Sequence, residues 1–168
     1  KQVAPCFAPI EGDYLTFDEF WPRFEAMMRW LAKTYVNALK IIHYMHDKYD
    51  YEAFEMALHD GDVQRTRATG IAGLSIVTDS IAAMKHCKIR IIRDETGLAV
   101  DYKIEEGEFV PFGNNCDETD EIAVMLTEKF MEYLRQHRTY RDAIPTQSLL
   151  TITPNVVYGR NTGATPDG

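Results

Sequence analysis

The stretch "TFDEFWPRFEAMMRWLAKTYVNALKIIHYMH", residues Thr16 to His46, decides the class of this chain. Thr16 and Glu19 have capping-box spacing, so the segment starts like a helix. Phe17, Phe20, Phe24, Met27, Met28, Leu31, Tyr35, Leu39, Ile42 and His46 then recur at i+3/i+4, which predicts one long amphipathic helix with that stripe buried. Pro22 predicts a kink or a delayed start, because it lacks a backbone donor and crowds the turn before it. Glu25 and Arg29 read as a solvated i,i+4 pair on the opposite face.

Working outward, residues 1–14 carry Pro5, Pro9 and Gly12 and read as an irregular lead-in. Residues 15–87 read as helical throughout, with a short helix over Tyr51 to Leu58 and a further one over Asp62 to Cys87. The period changes at residues 88–106. Val100, Tyr102 and Ile104 alternate with Asp101, Lys103 and Glu105, and Gly97 in "DETG" suits a turn with positive φ, so a β-hairpin is predicted. Residues 117–138 predict a helix whose acidic first turn and basic last turn complement its dipole. Residues 147–168 read as strand and loop, the strand being Leu149 to Thr153. The fold class is α/β: several helices with pieces of a sheet whose partners lie elsewhere.

Length and composition narrow the function. A chain of 168 residues, 45% hydrophobic and 26% charged, fits one globular domain with a real core. A net charge of -8, without a Lys/Arg stripe interleaved with aromatics, argues against nucleic acid as the main partner. The longest uncharged run, Ala143 to Gly159, is broken by Pro145 and Pro154 and is too polar for a membrane span. No stretch reads as a secretion signal, and both ends look cut from a longer polypeptide. Cys6, Cys87 and Cys116 are odd in number and widely spaced, which suits free thiols in a reducing compartment.

Three of the five histidines crowd into "HYMHDKYDYEAFEMALHD", His43 to Asp60. His43 and His46 stand i,i+3 with no glutamate between them, the wrong pattern for a zinc helix. They read as structural: His43 on the surface beside Asp47, His46 half-buried on the apolar stripe, and no metal. His59 reads as the end of a short helix, followed by Arg65 and Arg67. That placement suits a histidine handling a proton beside an anionic ligand, but the sequence alone favours a plain helix-capping role. Gly70 and Gly73 fit neither a dinucleotide fingerprint nor a P-loop and read as close helix packing. Ser75 lies in no nucleophile elbow, and the carboxylates sit in helix first turns and on outer strand faces.

Longer stretches carry more. "IIHYMHDKYDYEAFEMALHD", "RTRATGIAGLS", "IRDETGLAVDY", "FGNN", "HRTYRDAIPTQSLLTIT" and "NVVYGRNTGATPDG" closely resemble the pyruvate formate-lyase (formate C-acetyltransferase) family of glycyl radical enzymes, from about Tyr14 to Gly168. The resemblance implies an interior segment of a ten-stranded α/β barrel, in a single catalytic domain spanning 1–168 and beyond. It implies fermentative conversion of pyruvate and coenzyme A to acetyl-CoA and formate. The radical belongs to a glycine outside this segment, as do the adjacent cysteine pair and the pyruvate-binding arginines. A homodimer, a radical S-adenosylmethionine activating enzyme and a cytoplasmic location (organellar in eukaryotes) are implied too. Of the residues present, the resemblance marks only His59, as candidate proton acceptor near coenzyme A. Thr69 stands where relatives often carry Cys, and the three cysteines match no family role. A sister lyase acting on 2-oxobutanoate, or a non-catalytic helical interaction module, are the rival readings. Alone, the chain is expected to be inactive.

Overall fold

The computed structural model describes residues 3–49, 51–61, 63–149 and 154–168, with the backbone alone for 51–53. In chain order the elements are β1 (Tyr14–Leu15), α1 (Phe17–Lys48), α2 (Tyr51–Met56), β2 (Thr66–Ile71), α3 (Leu74–His86), β3 (Lys88–Arg93), β4 (Ala99–Glu106), α4 (Asp117–Arg135), a 3-10 turn (Tyr140–Asp142), β5 (Ile144–Leu149) and α5 (Asn155–Asn161). The class is mixed α/β, with two small sheets.

Thr16 caps α1 from an extended conformation: its hydroxyl oxygen accepts the Glu19 N–H at 3.4 Å and its hydroxyl donates to Glu19 Oε2 at 3.2 Å. The helix starts at Phe17 and runs through Pro22 as one element of 32 residues, so the start is not delayed. Pro22 frees only the Asp18 carbonyl, and both residues are exposed, so water can satisfy it.

The buried stripe of α1 is Met28, Ala32 and Val36, rotated from the expected one. Leu31 and Ile42 are 48% and 53% exposed. The stripe meets Ile122, Leu126, Phe130, Tyr133 and Leu134 of α4 and Ile81 to Met84 of α3 in one core. Leu15, Ile89 and Ile91 close that core from a three-stranded antiparallel sheet of order β1-β3-β4. Tyr102 and Ile104 of β4 face the core, while Arg90 pairs with Glu105 and Lys88 with Glu106 on the outside, both at 3.3 Å. The β3–β4 turn is held by Asp94, whose Oδ1 accepts from the N–H groups of Thr96 and Leu98, and by Gly97 at φ +85°.

Several boundaries differ from the sequence reading. Residues 15–87 are not all helical: Leu15 is in β1, and Thr66–Ile71 is strand β2, inside the span read as one helix. β-branched Thr66, Thr69 and Ile71 favour the extended form there, and α3 begins only after Gly73, left-handed at φ +80°. Gly70 and Gly73 therefore serve a strand and a turn rather than helix packing. β2 pairs in parallel with β5, from Thr66↔Ile144 to Ile71↔Leu149. The last strand thus lies earlier than expected, and residues 150–153 of the expected one fall outside the described residues. Residues 155–161, read as loop, form α5. α4 ends at Arg135, leaving Arg138 to pair with Asp142 at 3.1 Å.

A polar clamp ties α1 to α4. Tyr133, 1% exposed, donates its hydroxyl to Glu25, which Arg29 and Lys129 also approach at 3.3 and 3.5 Å. The Arg29 guanidinium lies 4.2 Å over the Tyr133 ring. The pair read as solvated is thus half of an interhelical contact. The Tyr133 hydrogen bond, helped by the two cations, holds the Glu25 carboxyl below its ordinary 4.5, while burial and Glu25 push the Tyr133 phenol up to about 12.

Two outcomes are expected. The folded state binds Glu25's proton less readily than the unfolded chain, so this stability is present above about pH 4.5 and lost as pH falls through the depressed folded value. Melting of a Glu25→Gln variant followed from pH 7 to 3 should show a shallower acid loss than wild type; identical slopes refute the clamp. Gly107 sits at φ +93°, and an added Cβ would meet the His86 carbonyl oxygen at 2.3 Å and Cys87 Cα at 2.9 Å. Gly107→Ala should therefore cost about 2 kcal/mol in denaturant unfolding.

Candidate functional site

His59 stands in the segment joining α2 to β2. α2 ends at Met56, so His59 lies past the helix rather than on its last turn, its N–H reaching back to the Met56 carbonyl at 3.2 Å. The side chain is exposed and makes no hydrogen bond or ion pair among the described residues. The cations that follow do not gather around it: Arg67 turns to α1, and Arg65 is half-buried with a partner of its own.

The structure instead builds a polar hub where the end of α1 meets β2 and the 3-10 turn. His43 is half-buried and His46 exposed, the reverse of the sequence reading. Leu39 and His43 continue the Ala32–Val36 side of the helix inward, which turns His46 out. The Arg67 Nη2 lies 2.5 Å from His43 Nδ1, and the Tyr140 ring meets the imidazole edge-on at 5.0 Å. A guanidinium only donates, so Nδ1 accepts and carries no proton. Asp47, expected beside His43, is engaged by the Tyr140 hydroxyl at 2.6 Å and Arg141 Nη2 at 2.8 Å. The Tyr140 hydrogen bond, then Arg141, holds the Asp47 carboxyl below its usual range, and Asp47 in turn pushes the Tyr140 phenol up. Arg141 and Asp142 are left-handed, at φ +51° and +52°, a strained pair in non-glycine residues that launches β5.

Sequence reasoning missed this hub. Tyr140 and Arg141 lie more than ninety positions from Asp47, and no local pattern announces such a contact. It also missed how two of the most recognisable stretches attach. The Phe112 N–H of "FGNN" donates to Asp79 Oδ1 at 2.6 Å, and the Ser80 hydroxyl donates to Asp167 of "TPDG" at 2.9 Å. Burial, opposed by the Phe112 bond and aided by Asp167, pushes the Asp79 carboxyl up. α3 therefore carries both loops on adjacent residues.

Beside the hub, Met27, Trp30, Leu31 and Tyr35 of α1 and residues 70–74 line an apolar groove of about 520 Å³. Its polar mark is the Tyr35 hydroxyl, which accepts the Gly70 N–H at 3.1 Å. Among the described residues no three His, Cys, Asp or Glu side chains converge in a way that could hold a metal ion. Cys6 is exposed, whereas Cys87 and Cys116 are half-buried, and burial with Glu108 nearby pushes the Cys87 thiol up. A half-buried thiol whose pKa is raised suits packing better than nucleophilic work. No helix among the described residues is long and apolar enough to cross a membrane.

The comparison with known proteins supplies what geometry alone does not. The chain is 60% identical over 167 residues, 99% of its length, to formate acetyltransferase 1 of Escherichia coli (strain K12), and this match covers 22% of that relative. It thus spans about a fifth of the relative's length. The model of the pyruvate formate lyase-like family matches residues 1–159, nearly the whole sequence. On that match, the chain belongs to the pyruvate formate lyase-like family.

Proposed function

We propose that this chain is a stretch of a formate C-acetyltransferase, which converts pyruvate and coenzyme A to acetyl-CoA and formate in anaerobic sugar fermentation. The observation that carries the reading is the 60% identity, sustained over 167 residues, to a protein named for that activity. The parallel β2–β5 pair supports a place in a larger barrel. Purely parallel sheets occur with both faces covered, and two strands alone bury too little to stand by themselves. The glycyl radical and the cysteines that receive it belong to other parts of the polypeptide. A cytoplasmic homodimer activated by a separate radical S-adenosylmethionine enzyme completes the reading.

Within this chain the proposed chemical role is that of His59. A thiol of pKa about 8.5 is mostly protonated at neutral pH, and a neighbouring imidazole can accept its hydrogen as a proton. Exposure of the ring, and the absence of a structural partner among the described residues, leave it available to coenzyme A. The segment holding it runs directly into β2, which the hub fixes at Arg67.

The test separates the two half-reactions in the full-length enzyme. His59→Ala should slow acetyl transfer to coenzyme A by about a hundredfold, the usual scale of a lost general base. Formation of the acetyl-enzyme, read by exchange of labelled formate into pyruvate, should be unchanged. Equal loss of both half-reactions, or of neither, contradicts the role.

A further inference from the structure

Among the described residues, two buried side-chain polar atoms lack a hydrogen-bond partner: Arg67 Nε and Gln147 Nε2. Both are N–H donors, so what each lacks is an acceptor. They come from the two strands of one sheet. The parallel register sets Arg67 opposite Pro145 and Thr69 opposite Gln147. Register partners, and residues two apart along a strand, project to the same face. Arg67 and Gln147 therefore share a face, their Cα atoms about 8 Å apart by ordinary strand spacing. Buried Thr69 lies between them, its hydroxyl already donated to the Thr146 carbonyl at 2.7 Å.

Charge sharpens the point. The one polar contact of the Arg67 side chain among the described residues is His43 Nδ1, a neutral acceptor and no counter-ion. Asp47, the acid of the hub, is occupied by Tyr140 and Arg141. Burial depresses the Arg67 pKa, as for a cation whose charge is not compensated. A half-buried guanidinium without a counter-ion is costly, and a water molecule would supply an acceptor but no charge.

We infer that Arg67 and Gln147 together hold a carboxylate, one oxygen on Arg67 Nε and the other on the Gln147 amide. That carboxylate comes either from an acidic side chain elsewhere in the longer polypeptide or from a small free carboxylate. The site rests on the two buried donors rather than on the acyl-transfer reading, with which it shares only Arg67, the anchor of the strand that follows the His59 segment.

The experiment is thermal unfolding of the full-length protein in sodium acetate against equal sodium chloride, for wild type and Gln147→Glu. Q147E keeps the Arg67–His43 contact and places a carboxylate of its own beside Arg67. If the natural carboxylate is a side chain, Q147E crowds two negative charges and lowers the melting temperature by about 2 °C or more, and acetate changes nothing. If it is free, acetate raises the wild-type melting temperature by mass action and has no effect on Q147E. Arg67→Met is the second variant, destabilising in the first case and blind to acetate in the second. The inference is overturned if Q147E melts at or above wild type while both proteins answer acetate alike or not at all.

Discussion

Packing of one stripe of α1 against α4 is the contact on which the rest of the structure depends. A helix of 32 residues is about 48 Å long, too long to bury along its whole length in a chain of this size. Its stretch up to Val36 supplies Met28, Ala32 and Val36 to the core, where α3 and the antiparallel sheet close around them. Glu25 and Tyr133 fix the crossing with a half-buried charged hydrogen bond. With that stretch anchored, the helix continues beyond the core to Lys48. Its His43 and Asp47 reach β2 and the turn before β5, adding to the Gly70–Tyr35 hydrogen bond and the packing of Ile71 against the core.

The second constraint lies in the parallel pair. Its strands are joined through α3, the antiparallel sheet and α4, so pairing them closes a long loop for little local return. The hub offsets this by fixing both starting points: Arg67 through His43, and Tyr140 with Arg141 through Asp47. The strained φ angles at Arg141 and Asp142 persist because those side chains are held. Exposed Ile41, Ile42, Phe54 and Leu58 around the same end of α1 fit a surface covered by the remainder of a longer polypeptide.

What could be read from the sequence was what is local. The Thr16–Glu19 box placed the start of α1, the alternation at 100–105 gave β4, and the acidic turn at Asp117 marked α4. The rotated stripe of α1 was not legible, because its outward side is also apolar and period alone cannot say which apolar face meets a partner. β2 was taken for helix because small residues on a short parallel strand lack the alternation of a half-exposed one. His59 was read from the sequence at a helix end that the structure does not give it, and only resemblance to a family set it above a plain cap, since an exposed histidine in a connecting segment carries no strong pattern of its own. The hub and the Arg67–Gln147 face were invisible because each joins residues more than twenty positions apart.

On the proposed reading, the helical core and antiparallel sheet hold themselves, while the parallel pair depends on strands of a longer polypeptide. Amide hydrogen exchange on the 168-residue chain and on the full-length protein tests it most directly. The account predicts slow exchange at Met28–Val36, Ile89–Ile91 and Leu126–Leu134 in both. It predicts slow exchange at Thr66–Ile71 and Ile144–Leu149 only in the full-length protein. Equal protection of those two strands in the isolated chain would contradict it.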